Sequence, residues 1–366
     1  MACPLNCESV IERLAIEVNG QTLVNMTNYS TLYHALLYMT ATDDYIRSRR
    51  VAQTNHLVQA DSSESAGGTH EVITSSFTAD GAAGNKIKKR HIVDTWLGFL
   101  GSAKPNFIDT SLLGNVRISI TLAPGTILQN LDGGAITPKY TLSGQFFSID
   151  VVSISDGIYD AMVDQMLASG APIEIPFKNY FSFSGAASSG DMLAFNVASQ
   201  SIDRMWGLMR QTDGVNSATA RVGTDVANSE AGEIQATLGD FTYSTGDATD
   251  FHFQVNNTLY PQWTSDKLQD WYQHTRLAVG DQGNMLAGSC VTCPKAYITN
   301  FFVYACQLEH RTDGDERFVS GIDTRGAAAQ CYWKWKTGNA THTAVVFAEC
   351  TSLLRVFSNK VLEVVQ

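Results

Sequence analysis

Residues 92–123 read IVDTWLGFLGSAKPNFIDTSLLGNVRISITLA, and the end of this stretch indicates the fold class. From Val116 onward, apolar and polar side chains alternate strictly, as they do in a β-strand with one buried face. The apolar positions, which we predict to face a core, are Val116, Ile118, Ile120 and Leu122. The opposite face carries Arg117, Ser119 and Thr121. No residue pattern in this stretch is typical of catalysis, so the stretch indicates the fold rather than a reaction.

A β-hairpin is predicted upstream of this strand. Alternation over residues 14–18 is followed by Asn19-Gly20 and by a returning strand at 21–24. Asn-Gly is the preferred pair for a two-residue hairpin turn, because both turn residues need a positive φ. Ser30 follows in a position to cap a short helix.

The rest of the chain alternates between strand patterns and long polar loops. Further strands are predicted at 146–154, 192–198, 251–255, 297–305 and 343–349. Helical patterns occur near 202–209 and 265–274, and an apolar stripe at 156–169 predicts an amphipathic helix that ends at Gly170. The long loops, which are rich in small and polar residues, are 61–85 and 211–250. Strands separated by long loops favour antiparallel sandwiches over a parallel α/β sheet.

The domain organisation follows from length and pattern. A chain of 366 residues suits two domains, since domains usually hold about 100–200 residues. We predict a first domain at 1–170, with a helical linker at about 156–169, and a second domain at 171–366. The predicted fold class is all-β with a few short helices.

The charge of the chain argues against nucleic-acid binding over the whole surface and leaves the role of one basic cluster undecided. The formal net charge is −11, so the chain is poorly suited to bind nucleic acid over its whole surface. The basic cluster Lys86–Arg90 is a nuclear-import signal, a local nucleic-acid contact or a solvated loop. Neither a secretory signal nor a membrane span is predicted, so we expect a soluble chain made in the cytosol.

Cysteine usage indicates a reducing compartment. We expect the seven cysteines to be reduced and mostly buried. Two close pairs, Cys3 with Cys7 and Cys290 with Cys293, stay open as metal or disulfide partners. No cofactor is predicted.

Reaction machinery is not evident in the sequence. The dinucleotide, phosphate-loop, nucleophile-elbow and zinc-protease motifs are absent. The charged run Glu309–Asp315 is interpreted as a turn rather than as an active site. Trp263, Trp271 and Trp333 support a second hypothesis, a tandem β-sandwich module that binds glycans on aromatic platforms. An enzyme on a sandwich scaffold is a third, because fold alone never excludes catalysis.

Seven segments, in order along the chain, carry a resemblance to one family. They are 98–102, 108–124, 148–160, 195–204, 259–263, 316–326 and 345–355. Together they resemble the double jelly-roll major capsid proteins, and within that family they are most similar to those of polinton-like viruses and virophages. The family-signature residues, to which we assign a structural role, are Arg317, Gly321, Ile322, Asp323, Thr324 and Arg325.

The resemblance implies two tandem eight-stranded antiparallel jelly rolls, standing upright in a pseudo-hexameric homotrimer. Such capsomers tile the icosahedral shell of a double-stranded DNA virus and perform no catalysis. The implied partners are further copies of the chain, neighbouring capsomers, and minor capsid and vertex (penton) proteins. Contact with packaged DNA is expected to be weak at most, and surface loops are candidates to bind a host glycan or receptor.

The implied location is the virion. Synthesis is expected in the host cytosol, with assembly in the nucleus or in a cytoplasmic virus factory.

Overall fold

The computed structural model describes residues 6–40, 48, 53, 90–105, 107–127, 140–153, 157–187, 192–211, 243–263, 265–279, 297–298, 302–309, 321–326, 330–338, 342–358 and 361–366. These residues form mostly β-sheet with a few short helices. The α-helices are α1 (Tyr29–Thr40), α2 (Phe99–Ser102), α3 (Thr110–Leu113), α4 (Gly157–Ala168) and α5 (Leu268–Val279). Short 3₁₀ helices lie at Cys7–Val10 and Gly125–Ile127.

The first sheet contains three antiparallel strands in the order β2-β1-β3. Their bounds are β1 (Ile11–Val18), β2 (Gln21–Thr27) and β3 (Val116–Leu122). Asn19 (φ 48°) and Gly20 (φ 81°) form the turn between β1 and β2, and Val18 pairs with Gln21. The predicted hairpin is therefore confirmed.

Two further antiparallel sheets follow. Their strands are β4 (Ile173–Ala186), β5 (Met192–Asn196), β6 (Ile202–Gln211), β7 (His252–Val255), β8 (Thr258–Tyr260), β9 (Tyr304–Gln307), β10 (Gln330–Lys334), β11 (His342–Val356) and β12 (Leu362–Val365). One sheet has the order β5-β10-β7-β8. The other, which we call the central sheet, has the order β12-β11-β6-β9, and β4 pairs with β11 along its length.

The central sheet separates two hydrophobic clusters. Val345 and Phe347 of β11 pack into the first cluster, together with side chains of β1, β2 and α1. Val346 and Ala348, which alternate with them, pack into the second cluster against the β5-β10-β7-β8 sheet. Because alternate side chains of β11 enter different clusters, this strand is apolar on both faces and almost entirely buried.

Burial at β3 differs from the sequence prediction. The register pairs Val116, Ile118 and Ile120 with Val18, Ile16 and Leu14, which are fully buried. The predicted apolar face therefore points to the expected side of the sheet. However, only Ile118 packs against the core, whereas Val116, Ile120 and Leu122 are 37%, 43% and 44% exposed. The physical reason is that β3 is an edge strand, which has a neighbour only at β1 among the described residues.

Three local predictions are wrong. Residues 202–209 are not helical but belong to β6, a strand with side chains in both hydrophobic clusters. A strand buried on both faces has apolar residues at both parities and so imitates a helical pattern. Residues 146–154 are predicted as a strand, but 146–153 belong to no helix or strand, and residue 154 lies outside the described residues. Ser30 lies inside α1, which begins at Tyr29, and does not cap it.

Most other element predictions are confirmed in type, with shifted ends. Strands β5, β7 and β11 and helices α4 and α5 lie where strand and helix patterns predict them. Gly170 follows α4 with a positive φ of 82°, which only glycine adopts readily. The division into domains at 170/171 and the count of eight strands per roll stay predictions. None of the helices in the described part of the chain is both long and apolar enough to cross a membrane.

Candidate functional site

A buried charge cluster lies on the central sheet. The Asp203 carboxylate on β6 accepts hydrogen bonds from Lys178 Nζ (2.7 Å), Thr351 Oγ1 (2.6 Å) and Ser201 Oγ (2.6 Å). The Asp203 side chain is 1% exposed. Lys178 lies on β4 and Thr351 on β11, so one carboxylate joins three strands of the sheet.

A second carboxylate extends this cluster. The Glu349 carboxylate accepts hydrogen bonds from Arg204 (3.2 Å) and from the indole Nε1 of Trp206 (3.0 Å). Arg204 also pairs with Glu309, just after β9, at 2.5 Å. The cluster thus contains two cations and three carboxylates, and each carboxylate has a cationic partner within 4.0 Å.

The electrostatics of the cluster favour the charged state of its two cations. Burial opposes the charge of Lys178, but the carboxylates of Glu349 and Asp203 outweigh it and raise the pKa of the ammonium. Burial likewise opposes the charge of Arg204, whereas Glu349 and Glu309 raise its pKa. Each carboxylate of the cluster is paired with a cation of the same chain. The cluster therefore holds strands together, and removing one partner would leave a buried charge uncompensated.

The family-signature segment docks on the start of β6. Ile322 and Ile202 exchange two backbone hydrogen bonds of 3.0 Å each. Thr324 is buried, and its hydroxyl donates to the Val197 carbonyl (2.7 Å) and accepts from the Ser199 amide (3.0 Å). Gly321 donates its amide to Ser201 Oγ (2.8 Å), and the same hydroxyl donates to Asp203. The segment is thus connected to the buried charge cluster.

The remaining signature residues have different surroundings. Asp323 and Arg325 form an exposed ion pair of 2.7 Å, and hydrogen bonds from the Arg325 side chain and amide lower the pKa of Asp323 to about 2. An exposed pair of this kind contributes little to stability. Arg317 lies outside the described residues. The family resemblance of the sequence identifies Gly321, Ile322 and Thr324 as signature residues. Only the fold shows that they contact residues about 120 positions earlier in the chain.

The charged run 309–315 is described at its first residue only. The Glu309 carboxylate is engaged by Arg204 and lies 3.8 Å from Lys178, so it belongs to the structural cluster. Sequence reasoning missed the other members of the cluster. The available signal was charge inside apolar strands, since Asp203 and Glu349 both interrupt buried runs.

The aromatic residues of the glycan hypothesis do not form a common platform. Trp333 and Trp271 are 0% and 7% exposed and pack in the second hydrophobic cluster. Trp263 is 60% exposed and contacts His274, with 5.2 Å between ring centroids. A sugar-binding platform needs an open aromatic face, and only one of the three has it.

The described cysteines are buried free thiols: Cys7, Cys306, Cys331 and Cys350. Burial raises the pKa of Cys306 and Cys350 to about 12, which disfavours the reactive thiolate. Cys3, Cys290 and Cys293 lie outside the described residues, as do Lys86–Lys89 of the basic cluster. In the described ranges, no group of three or more His, Cys, Asp or Glu side chains is arranged to hold a metal ion.

Comparison with solved structures finds a similar fold along the whole chain. The chain is similar to PBCV-1 VP54, whose crystal structure was fitted into a cryo-EM reconstruction of the virophage Sputnik. The TM-score is 0.55 and the sequence identity is 12%, and the match covers 100% of this chain and 87% of that chain. It is also similar to the Faustovirus major capsid protein, with a TM-score of 0.51 and 10% identity over 96% of this chain and 73% of that chain. Neither a family model nor a curated protein matches the sequence. At this identity the similarity shows the fold, which is that of the double jelly-roll capsid proteins.

Proposed function

We propose that the chain is a major capsid protein. Three copies close into a pseudo-hexameric capsomer, and capsomers tile the icosahedral shell of a double-stranded DNA virus. The observation that carries this proposal is the similarity of fold over the full length, since VP54 and the Faustovirus protein match 96% or more of this chain. A match to one sandwich alone would fit many functions.

The described side chains support a structural role. The buried charges are neutralised within the central sheet, and the signature segment is held by backbone and hydroxyl hydrogen bonds. Charged residues make up only 17% of the chain, which suits a surface covered by partners, because interface cores are depleted of charge. The proposed function therefore includes no catalysis and no cofactor.

The proposed partners are further copies of the chain and neighbouring capsomers, with minor capsid and vertex proteins at other contacts. Contact with DNA is at most weak, because the net charge of −11 opposes binding to phosphates. The proposed location is the virion, after synthesis in the host cytosol.

Light scattering after size-exclusion chromatography tests this proposal. We expect a particle of three times the chain mass of 39.8 kDa that survives dilution, with a six-lobed outline in negative-stain images. A monomer at all concentrations would contradict the proposal. A monomer that also binds immobilised glycans would favour the glycan-binding module instead.

A further inference from the structure

Residues 146–153 and 157–166 expose an unusual amount of apolar surface. Nine large apolar side chains in this part of the chain are exposed: Phe146, Phe147, Ile149, Val151, Val152, Ile158, Tyr159, Met162 and Met166. Eight of them are more than half exposed. We call these nine side chains the linker surface. Large exposed apolar side chains concentrated in one part of a chain usually mark an interaction site.

Helix α4 has one apolar row that packs on its own chain and a neighbouring apolar row that is exposed. Val163 and Leu167, one turn apart, are half-buried and pack against the first hydrophobic cluster. Met162 and Met166, also one turn apart, form the neighbouring row and are 59% and 51% exposed. The helix is therefore attached to its own chain by one row and presents a second apolar row outward. Exposed methionine rows suit binding, because the flexible thioether side chain adapts to a partner.

The segment 141–153, which precedes α4, belongs to no helix or strand of the described structure. No backbone hydrogen bond joins residues 141–153 to any other described residue. Phe147, Ile149 and Val151 alternate with Ser148 and Asp150, which is the pattern of a strand. A segment with this strand pattern, whose amides and carbonyls make no backbone hydrogen bond to the described residues, offers an edge to which another chain can add a strand.

We propose that the linker surface binds a second copy of this chain. Nine side chains at these exposures open on the order of 900 Å² of apolar area, and each partner in a standard interface contributes about 800 Å². The exposed apolar area of these nine side chains is therefore of the size that one partner contributes to such an interface. This inference rests on the proposed capsid function, which requires copies to associate, and it names the surface they use.

Charge indicates that the contact joins two different surfaces. Residues 140–168 contain no lysine or arginine, while Asp150, Asp160 and Asp164 are all exposed. A twofold contact would bring this acidic surface against its own copy, and like charges at close range oppose association. The linker surface therefore meets a different surface of the next copy. Head-to-tail contacts of this type close into rings, as a trimer requires.

Paired substitutions in α4 test the surface. The full-length chain with Met162→Asp and Met166→Asp is compared with wild type by light scattering, and we expect trimer formation to weaken at least 100-fold. Circular dichroism and thermal unfolding check that the variant is folded, and Met162→Gln with Met166→Gln is a milder second variant. The matched control is Leu277→Asp on α5, another helical apolar residue that is 54% exposed. The control is expected to remain trimeric.

Each outcome separates the inference from the proposed function. A trimeric wild type with a folded, monomeric α4 variant and a trimeric control supports the linker surface. A trimeric α4 variant, or loss of the trimer in the control as well, overturns the linker surface and leaves the capsid function standing. A monomeric wild type overturns both, and slow hydrogen exchange of amides 146–152 in that monomer would show that the chain covers the surface itself.

A mixing experiment tests the head-to-tail geometry. In a head-to-tail contact, the α4 variant still offers its other surface, so adding it to wild type should give mixed complexes held together by that surface. In a twofold contact, both copies need an intact linker surface, and mixed complexes would not form. Native mass spectrometry of variants with different masses measures this, and the absence of mixed complexes would overturn the head-to-tail geometry.

Discussion

Gly321 lies where a side chain would collide with fixed backbone. A Cβ built on Gly321 would lie 2.3 Å from the Ile202 carbonyl oxygen and 2.6 Å from Ser201 Oγ. The oxygen belongs to the strand that Ile322 pairs with, so it cannot move without loss of that pairing. We predict that Gly321→Ala lowers the free energy of unfolding by about 1–3 kcal/mol or more. The midpoint of urea unfolding measures this change.

Gly326 provides the matched control for Gly321. A Cβ on Gly326 meets no heavy atom within 4 Å. Gly326→Ala is therefore expected to change stability by no more than about 0.5 kcal/mol, as for most surface substitutions. Equal losses in the two variants would contradict the close approach of residues 321 and 202.

His274 is predicted to make the fold sensitive to acid. Its ring lies between Trp263, at 5.2 Å, and Tyr304, at 6.2 Å between centroids. Burial lowers its pKa, with Asp270 acting in the opposite sense and His252 in the same sense. Because the folded-state pKa is below the unfolded value of about 6.5, His274 stabilises the fold above that pH, and this contribution is lost as the pH falls through the folded-state pKa.

The change from His274 to Gln isolates this contribution. Between pH 7.5 and pH 5 we expect the thermal midpoint of wild type to fall further than that of His274→Gln, since glutamine does not titrate. Differential scanning calorimetry at matched ionic strength measures both slopes. Identical slopes would show that His274 titrates as an unfolded histidine does.

Strand β3 provides a prediction at the scale of the element. Ile118 packs against the core, whereas Ile120, two positions along the same face, is 43% exposed. Ile118→Ala is therefore expected to lower the free energy of unfolding by about 1–2 kcal/mol, and Ile120→Ala by a few tenths. Denaturant unfolding of the two variants at a concentration where the chain is monomeric measures the difference. Equal losses would indicate that the core covers the whole face.

Helices and strands could be predicted from the sequence where their structure depends on local residues. Asn19-Gly20 specifies its turn by backbone conformation, which is local, so the hairpin could be predicted. The apolar parity of β3 is also local, but its exposure depends on its position at the edge of the sheet that the described residues form. The pattern at 202–209 gives the wrong element, because Trp206 and Leu208 enter one cluster while Met205 and Met209 enter the other.

The charge cluster could not be predicted because its members are distant in the chain. Lys178 and Asp203 are 25 residues apart, and Arg204 and Glu349 are 145 residues apart. No spacing rule relates such positions until β4, β6 and β11 pair. The signature segment could be predicted in part. Gly321 and Thr324 were identified by the family resemblance, but their contacts at the start of β6 depend on the pairing of the strands.

At the scale of the whole molecule, the two halves of the chain share one hydrophobic cluster. Leu14 and Val24 of the first sheet belong to the same cluster as Phe347 of the central sheet. Polar contacts cross the same boundary. Asn28 donates to Ser182 Oγ (2.8 Å) and Arg210 donates to Thr31 Oγ1 (2.8 Å). A shared core couples the stability of the elements on both sides of it.

Phe347→Ala tests this coupling between the halves. Phe347 is fully buried, so its truncation should lower the free energy of unfolding by about 3–5 kcal/mol. Because the cluster is shared, hydrogen exchange should accelerate both in the β1–β2 hairpin and in β6, as mass spectrometry of peptides from each would show. Phe253→Ala, in the second cluster only, is the size-matched control and should affect the hairpin less. An unchanged hairpin in Phe347→Ala would mean that the first sheet is stable without the central sheet, as two independent domains would be.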